Sequence, residues 1–135
     1  MASKVELEIL TPERTLLREQ VEMVIAPAVD GEIGILPEHF PLVTSLKIGV
    51  VRIRRSEEEG FLPLAISQGV MEVLPQRITI LVATAELPEE IDIERALEAK
   101  KRAEERLKKE EFDKTRAEAA MQRAMARIKA ARDNQ

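Results

Sequence analysis

The chain has 135 residues, 44% of them apolar, and a net charge of −4; it is long enough for one domain, or one small domain with an appendage. With no cysteine and one histidine, His39, disulfides, thiolate metal sites and histidine clusters are excluded, and a Ser-His triad has little to build on. Three phenylalanines without Trp or Tyr argue against a stacking platform for nucleic acid, and the net acidity argues the same way.

The charge is unevenly divided. Residues 1–91 carry 8 basic and 15 acidic side chains, whereas residues 92–135 carry 13 basic and 10 acidic. Between Glu118 and Asp133 stand four basic residues and no acid. Two parts with different partners are expected. No apolar run approaches the ~20 residues of a membrane span. The start, MASKVELEIL, lacks the apolar region of a signal peptide and the arginines of a transit peptide. The expected location is the cytosol, or the surface of something facing it.

All five glycines and all seven prolines precede residue 89, so the first part is rich in turns. VELEIL alternates, with Val5, Leu7 and Ile9 on one face, and predicts a strand. VEMVIAPA predicts a second, with Pro27 at its edge or end. DGEIGILPEHFP reads as a loop; its glycines and prolines shape a fairly rigid surface carrying Glu32, Glu38, His39 and Phe40, either a docking surface or an ordinary β-connection. LVTSLKIGVVRIRR is apolar and β-branched, SEEEG reads as an exposed hairpin loop, and LPLAISQGV follows. MEVLPQRITILVATA predicts two strands about the turn LPQR, with Pro75 in the second turn position. Short strands at close spacing indicate a β-sandwich or barrel.

After residue 88 the period changes. Asp92 fits a helix N-cap and Glu94 suits the first turn. Ala96, Ala99, Ala103 and Leu107 form one narrow stripe. Ala117, Met121, Ala124, Ile128 and Ala131 form another. Two such seams predict an antiparallel helical hairpin. Its turn would fall in LKKEEFDKT, residues 107–115, which has no Gly, Pro or Asn and consists mostly of tolerable helix formers. The same residues therefore also fit one continuous helix, about 60 Å long at ~1.5 Å per residue. The expectation is a hairpin that also extends.

Asp92, Arg95 and Arg102 share one side of the first helix, and Arg123 and Arg127 share a face of the second. Folded back, these guanidinium groups would gather beside Asp92 and call for an anion, for which polyphosphate is suited. Solvated arginines in i,i+4 pairs, such as Glu98 with Arg102, fit the same spacing. There is no Walker-type loop and no paired base and nucleophile, so catalysis is not expected.

Four stretches now combine: VEMVIAPAVDGEIGILPEHFPLVTSLKIGVVRI, AISQGVMEVLPQRITILVATAE, IDIERALEAKKRAEERL and QRAMARI. In this order they resemble the epsilon subunit of bacterial F-type ATP synthases along nearly the whole chain. GEIGILPEH and the I-D-x-x-R-A motif are the most specific pieces. The resemblance implies a ten-stranded β-sandwich, residues 1–88, docking on the gamma subunit and the c-subunit ring, and a two-helix regulatory domain, residues 89–135. It implies a non-catalytic rotor subunit of the central stalk, peripheral on the cytoplasmic face of the bacterial membrane. Its helices would fold as a hairpin or extend into the alpha/beta catalytic head and inhibit ATP hydrolysis.

By the same resemblance, ATP is a regulatory ligand that holds the hairpin down, with its magnesium requirement left open. Ile91, Asp92, Arg95 and Ala96 match the motif. Glu86 is placed near the adenine, and Arg102, Arg123 and Arg127 match phosphate-facing arginines. Glu32 and His39 match c-ring contacts. Arg123, Arg127, Lys129 and Arg132 would meet the acidic head in the extended state. The alternative is a coupling module whose hairpin stays folded and binds no ATP at useful concentration. Two departures stand out: Glu38 and Gln68 occupy positions where the family commonly has glycine.

Overall fold

The computed structural model describes residues 3–108 and 114–133. Ten strands come first: β1 Val5–Leu10, β2 Thr15–Val21, β3 Met23–Ala28, β4 Gly31–Ile35, β5 Leu42–Leu46, β6 Gly49–Arg54, β7 Phe61–Ile66, β8 Gly69–Leu74, β9 Arg77–Val82 and β10 Ala85–Glu86. They pair in the order β10-β7-β6-β3-β5-β8-β9-β1-β2, with β4 added to β3. Neighbours are antiparallel except β1 and β9, which run parallel.

Strand β3 is the corner of the sandwich. Its first half, Met23–Ile25, pairs with β6, while Ala28 pairs with Leu46 of β5. Pairing with β6 stops before Pro27, as the missing N–H of proline requires. The alternation in VELEIL does what period-two patterning dictates: Val5, Leu7 and Ile9 lie in the core. Ile35, Ile53, Leu64, Met71, Ile78 and Ile80 close it from the other strands, each with no exposure.

Two sequence expectations need correction. DGEIGIL contains strand β4, which pairs residue for residue with β3 from Val24↔Ile35 to Ala28↔Gly31. Its glycines do not interrupt it: Gly31 opens the strand at φ 128°, and Gly34 lies opposite Ile25. The β-branched run LVTSLKIGVVRIRR, whose strand number the sequence leaves open, holds β5 and β6, and LPLAISQGV spans most of β7 and the start of β8. Strand β2 was not expected. Its buried side chain is Val21, with exposed and half-buried residues before it, as on a terminal strand paired on one side.

Two helices follow a short 3-10 turn at Pro88–Glu90: α1 Ile93–Leu107 and α2 Lys114–Asp133. Lys108 caps α1. The expected turn at 107–115 thus lies partly outside the described residues. The helices pack on each other, and α2 alone makes the extensive helical contact with β6 and β7. Of the expected seams, Ala96, Ala103, Ala117, Ala124, Ile128 and Ala131 are buried. A second face of α2 was not expected: Ala126 and Ala130 pack with Val50 and Ala65, joined by Ile48 and Ile91.

A candidate anion site between the helices and the sandwich

Asp92 is the N-cap of α1, and its Oδ1 accepts the Arg95 N–H at 3.1 Å. That bond satisfies one of the free N–H groups of the first turn. It also fixes the start of the helix, on which Arg95 and Arg102, seven residues apart, line a cavity of about 410 Å³ together with Ala96 and Ala99. Glu86 on β10, Arg127 on α2, and Glu90 and Asp92 from the segment before α1 also line it. The volume lies within the range of small-molecule sites.

Formal charge in this lining is balanced, three arginines against three carboxylates, but the pairing is not. Arg127 Nε donates to Glu86 Oε1 at 2.6 Å. Glu90 takes Arg14 Nη2 on both oxygens, at 3.0 and 2.8 Å, and its Oε1 also accepts the Leu87 N–H at 2.9 Å. The Leu87 N–H, above all, holds the Glu90 carboxyl below the ordinary glutamate range; partial burial opposes this, and the Arg14 hydrogen bond and charge add to it. Asp92 is committed to its cap. Arg95 and Arg102 make no ion pair among the described residues. Glu98 does not pair with Arg102; an i,i+4 pair on α1 joins Lys100 and Glu104.

Six of the expected nucleotide residues therefore line one cavity: Glu86, Asp92, Arg95, Ala96, Arg102 and Arg127. Two lie outside its lining. Ile91 packs into the apolar seam under α2, where a branched side chain belongs. Arg123 lies one turn from Arg127 and borders a small adjoining cleft with Ser67, Thr84 and Glu86. Glu90 and Ala99 complete the cavity and were not expected. Ala99 belonged to a seam legible as packing; Glu90 precedes the motif and carries no signal of its own.

Of the four basic residues expected to reach outward from α2, Arg123 and Arg127 are half-buried toward the sandwich, while Lys129 and Arg132 are exposed. Glu32 lies within β4, opposite Pro27 of β3, and His39 follows the strand. Glu32 accepts from Arg52 at 3.1 Å; His39 Nδ1 lies 2.7 Å from the Phe40 carbonyl oxygen. Between them Glu38 has φ 64°, a left-handed conformation that glycine adopts more easily. Its N–H donates to the Pro75 carbonyl at 2.8 Å. Groups of histidine and carboxylates that could hold a metal are absent among the described residues. No described helix is long and apolar enough to cross a membrane.

A family model described as the ATP synthase Delta/Epsilon chain beta-sandwich domain matches residues 4–88, and one described as the long alpha-helix domain of the same chain matches residues 89–132. The chain belongs to the delta/epsilon-chain family of ATP synthases. The ATP synthase epsilon chain of Desulforamulus reducens is 50% identical over 133 residues, covering 97% of this chain and 99% of its own. That of Moorella thermoacetica is 50% identical over 135 residues, covering 97% and 98%. In solved structures the fold resembles a chain of the Euglena gracilis mitochondrial ATP synthase (OSCP/F1/c-ring, rotational state 1), with TM-score 0.79 and 23% identity, covering 95% of this chain and 81% of that one. It also resembles a chain of the Tetrahymena thermophila mitochondrial ATP synthase central stalk and c-ring, with TM-score 0.60 and 16% identity over 96% and 97%. Epsilon chains of this family are non-catalytic members of the synthase.

Proposed function

We propose that this chain is a rotor subunit of the synthase's central stalk whose helical hairpin is an ATP-controlled brake on hydrolysis. In this reading the sandwich joins the gamma subunit to the c ring at the cytoplasmic face of the membrane. The helices fold down on the sandwich when ATP is bound, and extend into the catalytic head when it is not. The observation that carries the reading is the pair Arg95 and Arg102, without ion-pair partners among the described residues and lining a cavity that spans α1, α2 and β10. A polyphosphate there would bridge both helices and the sandwich, so its binding energy would count toward the folded hairpin alone. Ligand at ~100 times its dissociation constant favours the bound state by about 2.7 kcal/mol, enough to reverse a balance of one or two kcal/mol. ATP acts as a signal here, since the described residues that line the cavity offer no paired base and nucleophile.

A second reading has its own support. The Glu86–Arg127 ion pair and the seam of Ile91, Ala126 and Ala130 against Val50 and Ala65 hold the hairpin down without any ligand. This favours a coupling module with a permanently folded hairpin. Calorimetric titration of the full chain separates the two. Arg95→Ala removes a charged partner of the phosphates, so ATP affinity is expected to fall about tenfold or more, with GTP binding more weakly than ATP. Absence of binding at millimolar ATP would rule out the brake reading and leave the coupling module.

A further inference from the structure

Six residues, Leu87–Asp92, carry the chain from the end of β10 to the start of α1. Leu87 packs on the sandwich core, Pro88 is buried, and Ile91 enters the seam under α2. Glu90 is held differently, by a cation from the far side of the sequence. Arg14 stands 76 residues earlier, in the turn between β1 and β2. That turn is closed on itself: the Thr11 N–H donates to the Arg14 carbonyl at 2.9 Å, and the Arg14 N–H donates to Thr11 Oγ1 at 3.2 Å. The backbone that presents the guanidinium is therefore held by the turn's own hydrogen bonds and not by Glu90.

Glu90 lines the anion cavity and Arg14 does not. A bare carboxylate in that wall would repel any phosphate held by Arg95 and Arg102, and would draw those guanidinium groups toward itself. With Arg14 Nη2 on both oxygens and the Leu87 N–H on one of them, its charge is already answered from behind. Glu86 is answered in the same way by Arg127, but Arg127 is part of the lining. Arg14 is the compensating charge that comes from outside.

We propose that Arg14 is a positioning residue of the anion site: by neutralising Glu90 from the β1–β2 turn, it leaves Arg95 and Arg102 free for the ligand's phosphates. This rests on the reading of the cavity as an anion site. It ties ligand affinity to a turn of the sandwich that never touches the ligand.

The test is a double-mutant cycle on the full chain, titrated with ATP and with inorganic tripolyphosphate at fixed ionic strength. Arg14→Ala is expected to weaken both about threefold to fivefold, the range of a partly exposed charge pair. Arg14→Lys should recover most of that loss. Glu90→Gln keeps an acceptor for the Leu87 N–H while removing the charge, so it is expected to bind as well as the wild type or more tightly. Adding Arg14→Ala to Glu90→Gln should then change nothing further. A staple without an electrostatic role predicts otherwise: Glu90→Gln would weaken binding as much as Arg14→Ala, and that result overturns the proposal. Binding left unchanged by Arg14→Ala overturns it too, while the anion-site reading survives. A wild-type chain that binds neither probe overturns both.

Discussion

The sandwich and the helical hairpin are held by different kinds of surface. In the sandwich, Leu7, Ile9, Ile35, Ile53, Leu64, Met71, Ile78 and Ile80 are wholly buried in one continuous core. Each such side chain contributes about 1.5–3 kcal/mol. Where the hairpin meets the sandwich, the buried residues are Val50, Ala65, Ala126 and Ala130. Between the helices the buried residues are alanines and one isoleucine, Ile128. Alanine removes little area from water, so two ion pairs, Glu86 with Arg127 and Glu90 with Arg14, form a larger share of what holds the helical part to the sandwich than any ion pair does within the core. A core of large side chains comes apart all at once. A seam of small ones, pinned by a few ion pairs, can open while the rest stays folded, and its balance lies within reach of a ligand.

The largest expected effect is in the sandwich. Ile80→Ala leaves a cavity in the main core and should cost about 2–5 kcal/mol in chemical denaturation. If amide exchange in α2 accelerated by the same factor as in the central strands, the two regions would be one cooperative unit and the contrast would fail. Smaller, and confined to the hairpin, is Glu86→Gln. Both partners are about two-thirds covered, with side chains 32% and 27% exposed, so the loss is expected to be at most about 1 kcal/mol. Hydrogen exchange should show α2 opening a few times faster with β1 and β9 unchanged; equal acceleration in the strands would contradict a separately opening hairpin. The smallest effect is a gain. Glu38→Gly relieves the left-handed backbone before His39 and should stabilise the sandwich by about 1 kcal/mol or less. A drop in the denaturation midpoint would mean that the Glu38 side chain contributes more than its backbone costs.

Much of the fold was legible because it is local. Alternation in VELEIL, the Pro75 turn and the shift to helical spacing after residue 88 each depend on neighbours within a few residues. The cap at Asp92 is such a feature, and the phase it sets brings Arg95 and Arg102 to one cavity. Strand β4 was misread because glycines were taken as turn markers, whereas β3 supplies the hydrogen bonds that hold them extended. Strand β2 was missed because a strand at the end of the order buries too little to print a pattern. The second face of α2 was missed because Ala126 and Ala130 look like ordinary helix formers until Val50 and Ala65 lie against them.

The sequence by itself determined where strands end and helices begin, which residue caps α1, and that basic side chains line up along both helices. Only the tertiary structure decided which of those charges are free. Arg127 meets Glu86 across 41 residues and Arg14 meets Glu90 across 76. No spacing rule reaches that far, because such pairs depend on how the sheet closes and where α2 lies on it. The same closure leaves Arg95 and Arg102 without partners among the described residues. Local periodicity chooses the face on which a charge stands, and the packing of that face against the rest of the chain chooses what it meets.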